Sequence, residues 1–173
     1  MRFADVIATR RSVRAYERRN VETAKLRAIL EAASAAPSAG NLQSWRVAVV
    51  EAAPARRRLA AAAHGQDFLA NAPVLLIFCA DARRSEAGYG QRGARLFAVQ
   101  DATVAAAYAQ LAAASLGLGS CWVGAFDGGQ VSAALEQPEA GLRPVAILAI
   151  GYAAEHLERP RRRPIEELIL EAP

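Results

Sequence analysis

The chain has 173 residues, of which 53% are hydrophobic and 22% are charged; this balance excludes a disordered chain, and the length fits one domain with a sizeable core. Its net charge of +4 comes almost wholly from arginine, because Lys25 is the only lysine. The arginines cluster at residues 10–19, 56–58 and 159–163 without a recognition helix or an aromatic run beside them, which favours an anionic small molecule over nucleic acid as partner.

The two cysteines, Cys79 and Cys121, lie far apart without CxxC spacing, which excludes a disulfide framework and a thiolate metal site. The first residues, MRFADV, lack the apolar core of a signal peptide. We therefore expect a cytoplasmic protein that holds no metal.

Hydrophobic periodicity predicts the elements of the first half of the chain. Leu26, Ile29 and Leu30 recur at helical spacing, and Pro37 ends that pattern. Two apolar runs rich in β-branched residues predict strands. In chain order, the predicted elements are a helix over residues 21–36, a strand over 46–50, a helix after Pro54, a buried strand over 74–79 and a loop over 82–93.

Residues 102–126 carry no charge, so a membrane span must be considered. We reject it because alanine dominates the stretch and leucines are few. An all-round apolar helix belongs instead in a core or at a subunit interface. The elements that follow are a helix over 96–116, a strand over 120–125, a strand over 145–150 that ends at Gly151, and a polar tail from residue 153 with a short amphipathic piece at 168–170. With no repeat or linker, residues 1–173 are predicted to form one domain.

Two arginine-rich segments are candidate phosphate sites. The first is Arg10-Arg11-Ser12-Val13-Arg14, in which guanidinium forks and a hydroxyl suit phosphate oxygens. The second, residues 159–164 (RPRRRP), holds an arginine run between stiffening prolines that could close over a phosphate. Each segment also has a plainer interpretation, as a solvated basic stretch.

Two further segments suit a flat heterocycle. Residues 37–45 (PSAGNLQSW) gather the side chains of Ser38, Asn41 and Gln43, whose donors and acceptors match a heterocycle edge but also occur in ordinary turns. Residues 116–124 (LGLGSCWVG) contain glycines that would let a ring lie against the backbone, or that only cap a helix. This second segment is not a dinucleotide fingerprint, because it follows a helix rather than a strand.

In their order and spacing, these four segments resemble the FMN-binding nitroreductase family, in its short branch, over residues 3–170. The resemblance implies an α+β sandwich, in which helices flank a central, mostly antiparallel mixed sheet, and an intertwined homodimer whose tail from about residue 153 embraces the partner. It implies FMN in the dimer interface and NAD(P)H as electron donor. Matched motif by motif, the residues expected to bind FMN are Arg10, Arg11, Ser12, Arg14, Pro37, Ser38, Asn41, Gln43, Cys121, Trp122, Val123, Gly124, Arg161 and Arg162.

The resemblance also implies the reaction. Hydride passes from NAD(P)H to the flavin, and electrons then pass to a nitroaromatic, quinone or similar small acceptor in a ping-pong cycle. No side-chain nucleophile is required, and the two histidines, His64 and His156, lie in no triad or metal motif. Tyr89 and Arg92 are expected to shape the acceptor pocket.

Three alternatives stay open from the sequence. The same fold and flavin could serve another reaction, such as reduction of free flavin or an enone, or a dehydrogenation. The chain could bind flavin without turnover. From a different class, it could be a basic nucleic-acid-binding module, which a steep salt dependence of polynucleotide binding would reveal.

Overall fold

The computed structural model describes residues 2–136 and 141–170, in which helices and short strands alternate along the chain. The helices are α1 (Phe3–Thr9), α2 (Thr23–Ser34), α3 (Ala53–Ala62), α4 (Phe68–Asn71), α5 (Ala82–Arg92), α6 (Ala98–Ser115) and α7 (Gly128–Ala134), with 3-10 turns at Ala39–Asn41 and Ile165–Glu167 and a π-helical turn at Gly93–Phe97. The strands are β1 (Trp45–Val50), β2 (Val74–Asp81), β3 (Gly119–Val123) and β4 (Leu142–Gly151). The predicted helices and strands are therefore confirmed, with shifts of a few residues at their ends.

The four strands form one antiparallel sheet in the order β1-β2-β4-β3. Outside these strands, Ser12 forms an isolated parallel β-bridge with Ser120 of β3. The register of β2 on β4 shifts between Phe78 and Cys79, opposite Pro144, where a proline offers no N–H to the ladder. The mostly antiparallel sheet of the predicted fold class is confirmed.

Both faces of the sheet are covered by helices, and this explains why its central strands are apolar except near one end, at Asp81 of β2 and Arg143 of β4. Alternate residues of a strand point to opposite faces. Leu76 and Phe78 of β2 pack on the side of α2 and α6, whereas Leu75 and Ile77 pack on the side of α3, α4 and α7. The chain is thus an α+β sandwich of helices, sheet and helices.

The long helix α6 lies mainly in this core. Ala102, Ala105, Ala106 and Ala109 have no exposed surface, and because alanine ends at Cβ these positions let α6 approach the sheet closely. Tyr108 is 41% exposed, so one side of the helix stays accessible. Within the described ranges, no helix is both long and apolar enough to cross a bilayer.

The loop predicted over residues 82–93 is wrong, because most of it is helix α5. The Asp81 side chain caps that helix by accepting the Arg84 N–H at 3.0 Å. Gly88 lies against the end of the Leu42 side chain, and Gly90, at φ 56° and ψ −150°, bends the helix near its end. The glycines that indicated a loop thus serve close packing and a kink.

The tail is held to its own chain at its start. Tyr16 pairs with Ala153, and the Ala154 N–H donates to the Ala15 carbonyl at 2.9 Å. The described residues from 158 onward are exposed, including the amphipathic piece at 168–170.

Candidate functional site

The arginine-serine segment, residues 10–14, lies against the first residues of β3. The Val13 N–H donates to the Ser120 carbonyl at 2.9 Å, beside the parallel bridge of Ser12 and Ser120. A Cβ on Gly119 would stand 2.8 Å from a methyl carbon of Val13, so this approach depends on glycine. The fold therefore joins the first candidate segment to the third.

The start of the tail holds the same segment from another direction. One oxygen of Glu155 accepts the N–H groups of Arg14 at 2.6 Å and Ala15 at 2.9 Å, and these two bonds lower the pKa of Glu155. The Arg11 guanidinium donates to the Leu157 carbonyl at 3.2 Å and to two carbonyls of its own turn. Arg11, expected at the phosphate, thus also fixes the tail.

Arg10 and Arg162 converge beside this junction, and both line a cavity of about 170 Å³. Burial lowers the pKa of Arg10, and the nearby charges of Arg162 and Arg11 lower it further. These positive charges repel one another, and an anion bound between them would offset the repulsion. Arg161, the other late arginine expected here, does not line the cavity. The geometry is that of an anion site.

A neighbouring cavity of about 270 Å³ brings in two further expected residues, since Ser12 and Arg14 line it together with Arg10 and Arg162. The Arg14 guanidinium stands 5.8 Å from the centre of the Phe68 ring, within cation–π range. Arg11 lines this cavity as well, so five of the predicted phosphate ligands meet in one place.

The glycine-rich segment begins as a helix cap. Gly117 has a φ of 76°, its N–H donates to Ala114 at 3.1 Å, and the Leu118 N–H donates to Ala113 at 2.9 Å. These bonds form a Schellman motif that ends α6. The plainer interpretation of Gly117 is confirmed.

The side chains of β3, the strand that follows, alternate between the two faces of the sheet. Cys121 and Val123 are buried on the α3 and α7 side of the sheet, while Trp122 packs towards α2 and α6. Burial raises the pKa of the Cys121 thiol, which keeps it neutral. Gly124 is exposed, and a Cβ there would meet only the indole nitrogen of Trp122, at 3.7 Å.

Residues 37–45 form a tight turn that leads into β1. Gly40, Asn41 and Gln43 all have left-handed φ values, of 54°, 56° and 52°. The Ser38 hydroxyl oxygen accepts the Gln43 N–H at 2.9 Å, and the Gln43 side-chain amide donates to the Asn41 carbonyl at 2.9 Å. The expected heterocycle-binding residues are thus gathered in one turn.

The two residues expected in an acceptor pocket lie next to this turn. A Cβ on Gly40 would stand 2.5 Å from the Tyr89 hydroxyl oxygen, so the two residues are in contact. The Tyr89 ring packs edge-on against the Phe97 ring, with 5.2 Å between the ring centres. The Arg92 guanidinium lies 5.5 Å from the centre of the Phe97 ring. Tyr89 and Arg92 thus belong with the turn rather than with the arginines.

The expected residues therefore form two groups, an arginine half-site (residues 10–14, 120–124 and Arg162) and a turn half-site (residues 37–45, Tyr89 and Arg92). They lie at opposite corners of the sheet. The turn enters β1 at one edge, level with Arg143 of β4, while Ser120 pairs with Ile150 at the other edge. Three strand spacings, about 14 Å, separate the two edges, and along the strands the turn is seven residues, about 23 Å, from Ser120 and four residues, about 13 Å, from Val123, which pairs with Ile147.

The family model for nitroreductases matches residues 7–66 and 60–152, which is most of the chain. The chain belongs to the nitroreductase family. It is 34% identical to a Thermus thermophilus protein named NADH dehydrogenase, over 93% of this chain and 91% of that one. It is also 34% identical to a Bacillus subtilis protein named FMN reductase, over 90% of this chain and 68% of that one. The solved structure of B. megaterium NfrA2 superposes with a TM-score of 0.89 at 28% identity, covering 98% of this chain and 74% of that one.

Four residues that build the site in this nitroreductase-family chain were missed by sequence reasoning. Arg159 lies in the predicted arginine run and lines the cavity with Arg10 and Arg162, but Arg161 was expected there instead. Ser120 stood within the glycine-rich segment but was not singled out. Asp101 accepts hydrogen bonds from both ends of the turn at residues 37–45. It is the last charged residue before the uncharged stretch 102–126, and this position could have indicated a buried carboxylate. Glu155 gave no signal, because its partner Arg14 lies 141 positions away.

Proposed function

We propose that this chain is an FMN-dependent oxidoreductase that takes electrons from NAD(P)H and passes them to nitroaromatics, quinones or similar small organic acceptors. Relatives named FMN reductase and NADH dehydrogenase support this class of activity. The observation that carries the proposal is the convergence of Arg10 and Arg162 on one cavity. FMN ends in a phosphate, and clustered guanidiniums are the groups best suited to hold one.

The arginine half-site fits the phosphate end of FMN. A phosphate dianion would offset the mutual repulsion of Arg10 and Arg162, while Ser12 and Arg14 line the adjoining space. In the described part of the chain, the buried Ser120 hydroxyl has no hydrogen-bond partner, and it lines a cavity of about 370 Å³ that Arg10 also lines. An unpaired buried hydroxyl is uncommon and suits an oxygen of a bound molecule.

The flat end of the flavin has two suitable surfaces. Trp122, Val123 and Gly124 would line the ring, because the free space at Gly124 leaves the backbone accessible. Asn41 and Gln43 would offer amide donors and acceptors to its edge. When bound, FMN would supply the redox chemistry, with donor and acceptor used in turn in a ping-pong cycle. The neutral, buried Cys121 would act as a packing residue and not as a nucleophile.

A second copy of the chain is part of the proposal, because one copy holds the two half-sites too far apart to face the same ring. In a homodimer, the turn half-site of one protomer would meet the arginine half-site of its partner. Phe3 is 71% exposed and Leu170 is 94% exposed, so the protomer presents apolar surface at both of its ends. Ile165, Leu168 and Ile169 of the tail are more than half exposed as well, and a cluster of exposed apolar side chains favours a subunit interface. Sedimentation should give a dimer at micromolar concentration, and a folded, flavin-loaded monomer would refute the arrangement.

The test of function begins with the visible spectrum of the purified protein. We expect bound flavin absorbance that bleaches when NADH is added without oxygen. Arg10→Ala should weaken FMN binding by about 1–3 kcal/mol and leave riboflavin binding nearly unchanged, because riboflavin lacks the phosphate. Arg57→Ala, which removes an exposed arginine of α3, is the charge-matched control. If Arg10→Ala weakens the binding of FMN and riboflavin equally, Arg10 has a structural role and does not bind the phosphate. A colourless protein that retains polynucleotide would overturn the proposal.

A further inference from the structure

We propose that Asp101 is a positioning residue for the FMN-facing turn, acting through the backbone of residues 37–45. The inference rests on the proposed function, since it concerns the turn half-site of the same cofactor. Asp101 lies on α6, and only 4% of its surface is exposed. A buried carboxylate is costly unless its oxygens are hydrogen-bonded, so its presence on a helix otherwise packed with alanine needs a reason.

The two carboxylate oxygens of Asp101 divide between the two ends of the turn. Oδ1 accepts the Ala39 N–H at 3.0 Å, and Oδ2 accepts the Ser44 N–H at 3.3 Å. Ser44 is itself fully buried, and its carbonyl accepts the Asp81 N–H at 2.9 Å. One side chain therefore ties both ends of the turn to the rigid helix α6 and, through Ser44, to the end of β2.

The backbone between these two ends is in an uncommon conformation. Asn41 and Gln43 adopt left-handed φ values, which non-glycine residues rarely take unless the surroundings hold them there. Gly40, also left-handed, lies against the Tyr89 hydroxyl. Hydrogen bonds within the turn, such as that from the Gln43 N–H to the Ser38 hydroxyl, hold its middle, and the bonds to Asp101 fix its two ends to the body of the protein.

The consequence concerns the side chains that would meet the flavin. Asn41 and Gln43 are exposed, and their direction is set by the turn that carries them. If the Asp101 bonds are lost, the turn can relax towards ordinary φ values and both amides change direction. Asp101 would therefore affect cofactor affinity without touching the cofactor.

The experiment uses the whole protein with Asp101→Ala, Asp101→Asn and a control, Val131→Ala, which opens a cavity in the fully buried Val131 site of α7. Asparagine keeps the size of aspartate but can accept only one of the two N–H groups. We measure backbone amide exchange of Ala39 and Ser44 without flavin, the FMN dissociation constant, and the melting temperature.

We expect Asp101→Ala to speed exchange at both amides and to weaken FMN binding roughly tenfold, with Asp101→Asn between it and the wild type. Val131→Ala should lower the melting temperature yet change neither amide exchange nor FMN affinity. Unchanged exchange in Asp101→Ala, or faster exchange with unchanged FMN affinity, overturns the positioning role. A wild-type chain that takes up no FMN overturns the proposed function, while the flavin-free exchange still decides whether Asp101 holds the turn.

Discussion

Replacing Gly119 by alanine should push the arginine-serine segment away from β3. The new Cβ would stand 2.8 and 3.1 Å from the two methyl carbons of Val13 and 3.0 Å from its branch carbon. Rotation of the valine can move the methyls but not the branch carbon, so the backbone of the segment has to shift. Because Arg10, Ser12 and Arg14 belong to that segment, the shift also disturbs the anion site.

The size of the effect follows from two opposed contributions. Overpacking by one methyl in a tight contact costs about 1–3 kcal/mol. Replacing glycine by alanine restricts the unfolded chain and returns about 0.4–1 kcal/mol. The overpacking cost is the larger of the two, so we expect the free energy of unfolding to fall by roughly 1–2 kcal/mol. For a domain of this size each kcal/mol lowers the melting temperature by about 2–4 °C.

A double-mutant cycle with Val13→Ala tests whether this contact is the cause. Val13→Ala alone removes two buried methyls and should cost about 1.5 kcal/mol. Because it removes the two methyl carbons at 2.8 and 3.1 Å but keeps the branch carbon at 3.0 Å, the double variant should lose less than the sum, by about 0.5–1 kcal/mol, and part of the Gly119→Ala loss should persist. Gly128→Ala is the control, since a Cβ there meets nothing within 4 Å. Purely additive losses, or a Gly119→Ala protein that melts and binds FMN like the wild type, would refute the reasoning.

Three further predictions follow from the site and its surroundings. Cys121→Ala should keep FMN and most NADH-driven turnover, because the Cys121 thiol is neutral; loss of turnover by orders of magnitude with flavin bound would point to thiol chemistry. Gly124→Leu should leave the free protein as stable as the wild type, since only Trp122 is near, but should block FMN uptake, as absorbance titration would reveal. A hydrogen bond from Tyr152 lowers the pKa of Glu22 from 4.5 to about 2, so its stabilisation is present above pH 4.5 and is lost as the pH falls towards 2. The melting temperature of Glu22→Gln should therefore fall less than that of the wild type over that pH interval. Equal falls in the two proteins would contradict the stabilising role of the Glu22 carboxylate.

The elements were predictable where one physical cause dominates. Continuous apolar runs mark the strands that have helices on both faces, and Pro37 and Pro54 mark helix boundaries. The interval 82–93 was mispredicted because its glycines act in tertiary contacts, such as the packing of Gly88 on Leu42, which local sequence does not record. Short helices such as α7 carry too few residues to display a periodicity.

The site was predictable as a set of segments but not as an arrangement. Charge density indicated Arg10 and Arg14 as anion ligands, yet nothing in the sequence states that Arg162 alone of the late pair reaches Arg10. Nor does local sequence reveal that Glu155 would hold the backbone of residues 14 and 15. Such contacts depend on the path of the tail, which is set by the pairing of Ala153 with Tyr16.

The glycines of residues 116–124 illustrate how one motif combines several causes. Gly117 is required by the left-handed end of α6, and Gly119 by the approach of Val13, so neither is explained by a bound ring. Only Gly124 combines free space and solvent exposure with a φ outside the left-handed region, so nothing in the protomer demands glycine there. Of these glycines, Gly124 is therefore the one that would make room for a flat ring. The first two instead fix the position of the arginine-serine segment, and they act on cofactor binding through that segment.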